Sequence, residues 1–80
     1  MNVTVLLFAS YADTLGMSSL ALELSPGSTV RDLLGRVRSL PGADRLPSEP
    51  LIAVNEEYAR RDHRLSPGDE VAIIPPVAGG

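Results

Sequence analysis

Gly79 and Gly80 close the chain behind Pro75-Pro76-Val77-Ala78 and set its carboxylate on a stretch of bare backbone. With glycine near 7% of residues, an arbitrary chain ends in Gly-Gly about 0.5% of the time. Here the terminus also tapers from a rigid diproline to residues without side chains. That shape suits threading into a narrow channel of another protein, since glycine permits close backbone approach and unhindered attack at the last carbonyl. A carboxylate resists nucleophiles until it is activated, and adenylation by ATP is the common biological route. The acyl-adenylate can then pass to sulfur or to an amine.

Little else in the chain competes for that role. There is no cysteine and one histidine, His63, which excludes a disulfide framework, a zinc site, thiol catalysis and iron–sulfur clusters held by this chain alone. Asp62-His63 are sequence neighbours, and neighbours on a strand point apart. Ser10, Ser66 and His63 fit no triad spacing. The glycines stay isolated until the end, so no phosphate loop occurs, and the acids lack a calcium-loop pattern. Read for side-chain chemistry, the chain is not an enzyme. No metal and no bound cofactor is expected; ATP enters only through an activating enzyme.

All seven bases are arginine, and the net charge is −3. Without lysine there is no ε-amino group for Schiff-base chemistry or for building isopeptide chains on itself. A mildly acidic chain without a basic cluster argues against nucleic acid and anionic membranes. No run reaches the ~18 apolar residues of a membrane span, and no basic segment precedes an apolar one as in a secretory signal. The cytoplasm fits these features.

The elements that must position the tail follow from periodicity. Eighty residues, 44% of them hydrophobic, leave room for one core. Val3 to Ala9 reads as a strand, and Ser10 to Gly16 as a turn or single helical turn. Ser18 to Leu24 reads as a second strand, closed by Pro26-Gly27. Thr29-Val30-Arg31-Asp32 has the spacing of a capping box with an aspartate in place of the usual glutamate. Behind it Val30, Leu33, Leu34 and Val37 form one helical stripe that should stop near Leu40. Pro41 to Pro50 is a loop, Leu51 to Asn55 a third strand, and Asn55-Glu56-Glu57 its turn. Ser66-Pro67-Gly68-Asp69 reads as a type II turn before the last strand, Glu70 to Ile74. Pro75-Pro76 then bars further ladder pairing. The expected fold class is α+β: a β-grasp, ubiquitin-like domain over residues 1–80. It has a mixed four- to five-stranded sheet, one main helix packed on one face, and 75–80 as an extended tail.

Such a sheet keeps one face uncovered. Val3, Val5 and Leu7 share a side with Val71 and Ile73, so Thr4, Leu6, Phe8, Ala72 and Ile74 turn the other way. Leu6, Phe8 and Ile74 therefore form an apolar patch on the open face, a candidate partner surface.

At this point the pattern resembles the ubiquitin-fold sulfur-carrier family, and within it the small-subunit (MoaD) type of molybdopterin synthase. The resemblance rests on Leu7-Phe8-Ala9, Thr29 with Leu33, Ala53-Val54-Asn55, Leu65 through Ala72, and above all Pro75-Pro76-Val77-Ala78-Gly79-Gly80. It implies that an E1-like adenylating enzyme activates Gly80 and that a sulfur donor protein converts the adenylate to a thiocarboxylate. The tail of Pro75, Pro76, Val77, Ala78 and Gly79 would then thread into the synthase large subunit. There the sulfur goes to cyclic pyranopterin monophosphate, two sulfurs per product, in an assembly of two large and two small subunits. The resemblance also maps interface positions onto Phe8, Tyr58 and Ile74; Tyr58 rests on it alone. Many relatives carry Arg-Glu after the first strand where this chain has Ala12-Asp13, so that contact is absent or supplied elsewhere. Carriers for thiazole, cysteine or tRNA thiolation share the fold and terminus. A protein modifier acting through Gly80, and a plain docking module with a dispensable tail, are the other readings.

Overall fold

Alternation in the first strand builds the core. β1 (Asn2–Leu7) buries Val3, Val5 and Leu7 and leaves Thr4 exposed. β2 (Ser19–Glu23) returns antiparallel, setting Leu22 against Val3 and Leu20 against Val5. The computed structural model describes residues 1–46 and 50–76. Residues 47–49 of the expected loop, and Val77, Ala78, Gly79 and Gly80 of the expected tail, lie outside the described residues.

α2 (Val30–Arg38) crosses one face of the sheet, after a helix α1 (Ala9–Leu15) that lies between β1 and β2. The capping box forms as expected. The Asp32 N–H donates to Thr29 Oγ1 at 3.3 Å, and the Thr29 N–H donates to Asp32 Oδ2 at 2.9 Å. Val30, Leu33, Leu34 and Val37 are all buried, each contributing about 1.5–3 kcal/mol relative to an exposed side chain. The helix stops at Arg38 rather than near Leu40, because the Ser39 and Leu40 N–H groups bond three residues back, to Arg36 and Val37. A short 3-10 turn, Ala43–Arg45, follows.

Gly35 lies on the exposed side of α2, and a β-carbon built there meets nothing within 4 Å. Gly35→Ala is expected to stabilise the fold by about 1 kcal/mol. Thermal unfolding checks this through a rise of roughly 4–8 °C; an unchanged midpoint would show that helix propensity does not limit stability here.

β3 (Leu51–Val54), β4 (Glu57–Tyr58) and β5 (Glu70–Ile74) complete a five-stranded sheet in the order β2-β1-β5-β3-β4. β5 sits at its centre, parallel to β1 and antiparallel to β3. This is the β-grasp, ubiquitin-like fold.

Two elements differ from the sequence reading. The segment expected as a turn or single helical turn, Ser10 to Gly16, is a seven-residue helix, α1, that begins at Ala9. It is held by Tyr11, 1% exposed, and closed by Gly16, whose φ of +72° gives a left-handed cap with its N–H on Ala12 O. The closing Gly16 marks a short segment in sequence, while the buried Tyr11 ring supplies packing that no local pattern shows. That burial also pushes the Tyr11 phenol pKa above its usual value, against the opposing charges of Arg38 and Arg61. The second difference is β4. Asn55 and Glu56, at φ +49° and +72°, make a two-residue hairpin, and Glu57-Tyr58 pair back onto Val54 and Ala53. The turn is thus one residue shorter than expected, because Glu57 belongs to the ladder.

Candidate functional site

The open face of the sheet carries the candidate interface, and strand register assembles it. β1 ends at Leu7, but Phe8 keeps an extended backbone (φ −121°, ψ 154°) as the residue that begins α1. Its ring therefore continues the outward alternation and is 46% exposed. Leu6 lies opposite Ala72, Ala72 opposite Ala53, and Ala53 opposite Tyr58, so one row of the outer face runs across four strands. The next row sets Ile74 opposite Leu51. Residues opposite one another on paired strands share a face, and this register brings Phe8, Tyr58 and Ile74 together.

Between them lies an open groove of about 280 Å³, lined by Phe8, Ala53, Glu56, Tyr58, Ala72 and Ile74. The two alanines are small enough to form a floor, and the larger side chains form walls. Tyr58 is 77% exposed, so its ring is available to a partner. Aromatic walls around a shallow apolar floor are what an anchoring side chain from another protein fills. The groove lies at the C-terminal end of β5. Pro75 and Pro76 follow directly, outside the ladder, and their rings remove the N–H donors that further pairing would need. A partner seated in the groove thus sits beside the point where residues 75–80 begin.

The turn at the groove's edge is fixed by Asn55. Its backbone N–H donates to Glu70 O at 2.8 Å, its Nδ2 donates to Asp69 Oδ1 at 2.9 Å, and its Oδ1 accepts from the Glu70 N–H at 3.0 Å. The Ser66 N–H in turn donates to Asp69 Oδ2 at 2.8 Å. The β3–β4 hairpin is therefore bolted to the start of β5. The type II turn before β5 is tied to β1 through Gly68 N–H on Asn2 O.

The structure brings together the three expected interface residues and adds Ala53, Glu56 and Ala72. Leu51, 38% exposed, flanks Ile74. Ala53 and Leu51 escaped the sequence reading because their facing depends on the β3–β5 register. Glu56 left no local signal, since hairpins of this kind favour Asn-Gly and this chain has Asn-Glu. Ser10 is exposed in α1, His63 and Ser66 are exposed in the segment between β4 and β5, and Asp62 pairs with Arg60 at 3.7 Å rather than with His63. His63 contributes its backbone carbonyl, which accepts from the Val30 N–H. Ala12 and Asp13 lie within α1. Among the described residues there is no cluster of three or more metal-ligating side chains, and no helix is long and apolar enough to cross a membrane.

Comparison with known proteins gives a consistent result. The profile of the ThiS family matches residues 5–80. A molybdopterin synthase sulfur carrier subunit from Chlamydomonas reinhardtii is 37% identical over 83 aligned positions, spanning 100% of both chains. Among solved structures, SAMP1 from Haloferax volcanii superposes with a TM-score of 0.85 at 27% identity over 100% of both chains. A putative molybdopterin converting factor, subunit 1, from Pyrococcus furiosus gives a TM-score of 0.84 at 30% identity, covering 96% of this chain and 99% of that one.

Proposed function

The chain belongs to the ThiS family, and from that premise we propose that it is the sulfur carrier subunit of a molybdopterin synthase, working in the cytoplasm. The observation that carries this reading is the apolar groove of Phe8, Tyr58 and Ile74 at the end of β5, the strand that leads into residues 75–80. It supports a protein that docks on a partner and delivers its C-terminal residues there. The full-length likeness to a sulfur carrier subunit supports the cargo.

The chemistry starts at the Gly80 carboxylate. One of its oxygens attacks the α-phosphate of ATP in an E1-like enzyme, and pyrophosphate leaves. A persulfide on a donor protein then displaces AMP from the acyl-adenylate, and a second thiol cleaves the S–S bond of the resulting acyl disulfide, leaving a thiocarboxylate on Gly80 and a disulfide on the donor side. Docked on the large subunit, with Pro75 through Gly79 threaded toward its active site, the carrier presents that sulfur to cyclic pyranopterin monophosphate. Sulfur bonds to a substrate carbon as a carbon–oxygen bond there breaks and the oxygen leaves with its electron pair, water hydrolyses the acyl–sulfur bond, and the carrier returns with a Gly80 carboxylate. The carrier supplies a nucleophile and a docking surface; the large subunit supplies the catalytic site.

A protein-modifier reading draws on the likeness to SAMP1, since a second similar structure is that of a small archaeal modifier protein from H. volcanii. The same terminus would then acylate an amine. The deciding experiment incubates the thiocarboxylated protein with a large subunit and cyclic pyranopterin monophosphate and assays molybdopterin. Product formation, with return of the carrier to its carboxylate mass, is expected. No product, together with amide-linked adducts in a lysate containing ATP and the activating enzyme, would overturn the carrier reading in favour of the modifier.

A further inference from the structure

The basic residues of this protein are confined to one part of the fold. All seven arginines lie on α2, on the 3-10 turn or in the segment joining β4 to β5. That segment is tied to the start of α2, with the Val30 N–H donating to His63 O at 3.0 Å and the Arg31 N–H donating to Arg61 O at 2.9 Å. No strand carries a basic residue; the charged residues in strands are Glu23, Glu57 and Glu70. Glu70 shares the outward side of β5 with Ala72 and Ile74. On the groove's side of the strands there is therefore no basic residue, and Glu70 adds an acid to an otherwise apolar row; Glu57 turns to the other side.

Within that face Glu56 stands out. It lines the groove, is exposed, and makes no hydrogen bond or ion pair with any described residue. Its φ of +72° is a backbone conformation that disfavours any residue with a β-carbon. Glycine is what a two-residue hairpin of this kind favours at the position. A strained residue lining a groove, with a carboxylate that no described residue pairs, is a local exception of the kind found at functional surfaces.

We infer that Glu56 is a recognition residue of the docking groove. It receives a basic side chain of the partner while apolar groups of that partner fill the space between Phe8, Tyr58 and Ile74. The inference rests on the reading above and takes the partner to be the synthase large subunit, presenting an arginine or lysine beside an apolar anchor. A second copy of this chain fits poorly, because two acidic faces would repel.

Isothermal titration of the full chain into the large subunit, at low and high salt, tests this with three variants. Glu56→Gln and Glu56→Gly are each expected to weaken binding about three- to tenfold at low salt, and to flatten its salt dependence. Glu56→Gly should at the same time raise the melting temperature by roughly 2–6 °C, because the backbone strain is relieved. A merely structural glutamate would not give loss of affinity with gain of stability. Glu57→Gln is the control: Glu57 lies opposite the buried Val54 and so faces the other side of the sheet, and its affinity should match wild type. Wild-type binding with both Glu56 variants unaffected overturns this inference alone. Failure of the wild-type chain to bind the large subunit overturns it together with the carrier reading. Self-association through this face, abolished by Glu56→Gln, also overturns it.

Discussion

Deleting Gly80 is expected to abolish thiocarboxylate formation and sulfur transfer while leaving the fold as stable as before. The carboxylate would then sit on Gly79, one residue short, and the activated carbonyl would fall about 3.5 Å from where an extended tail delivers it. Reactions that depend on a bound near-attack geometry lose orders of magnitude for displacements of about 1 Å. Stability should change by less than about 0.5 kcal/mol, because the described core ends at Ile73 and Ile74 closes the ladder. Intact-protein mass spectrometry reads the step directly, through the gain that marks replacement of oxygen by sulfur. A truncated chain that still gains that mass and yields molybdopterin would sink the carrier mechanism. An amide cap on Gly80 separates length from chemistry, since it keeps the reach and removes the nucleophilic oxygen.

Phe8→Asp is expected to lower affinity for the large subunit by about 100-fold or more, with little loss of stability. The ring is a wall of the groove and nearly half exposed. Truncating an aromatic anchor at an interface centre costs about 2–4 kcal/mol, and a carboxylate left unpaired in a dry interface adds to that. The free protein meets neither penalty, because the side chain stays hydrated on the open face. Position 8 is also the residue that caps α1, and Phe8 makes no side-chain capping hydrogen bond there. An aspartate in this extended backbone can accept from the first-turn N–H groups, which stabilises helices by about 1 kcal/mol. The substitution therefore removes a docking group and adds a cap. Unfolded circular dichroism spectra would show instead that Phe8 is core. A phenylalanine at a capping position is poor local design, and its presence there points to a partner.

Glu56 and Phe8 thus share a property. Each is the wrong residue for its local backbone, one in a left-handed turn and one at a helix start, and both line the same groove. Local reading identifies such positions only after the backbone is known, because a glutamate in a turn and an aromatic after a strand look ordinary in sequence.

Periodicity and turn chemistry were legible from residues near one another in the chain. Val3, Val5 and Leu7 alternate; Val30, Leu33, Leu34 and Val37 recur at helical spacing; Thr29 and Asp32 cap; Gly68 supplies the positive φ of its turn; Pro75-Pro76 ends the last strand. Each depends on interactions within a few residues, so the information is complete in the segment itself. The same alternation placed Phe8 and Ile74 outward, and the chemistry expected of Gly80 came from the terminal segment alone. Register was different. Whether Ala53 faces Ala72 and Tyr58, and hence whether Phe8, Tyr58 and Ile74 meet, depends on hydrogen bonds between strands that are distant in sequence. Two residues of β4 are too few to show a period, and α1 is anchored by the buried Tyr11, whose packing partners are distant in sequence. Only the packed sheet could decide those points, because a pairing register is settled by the side chains of both strands and by the core that they jointly bury.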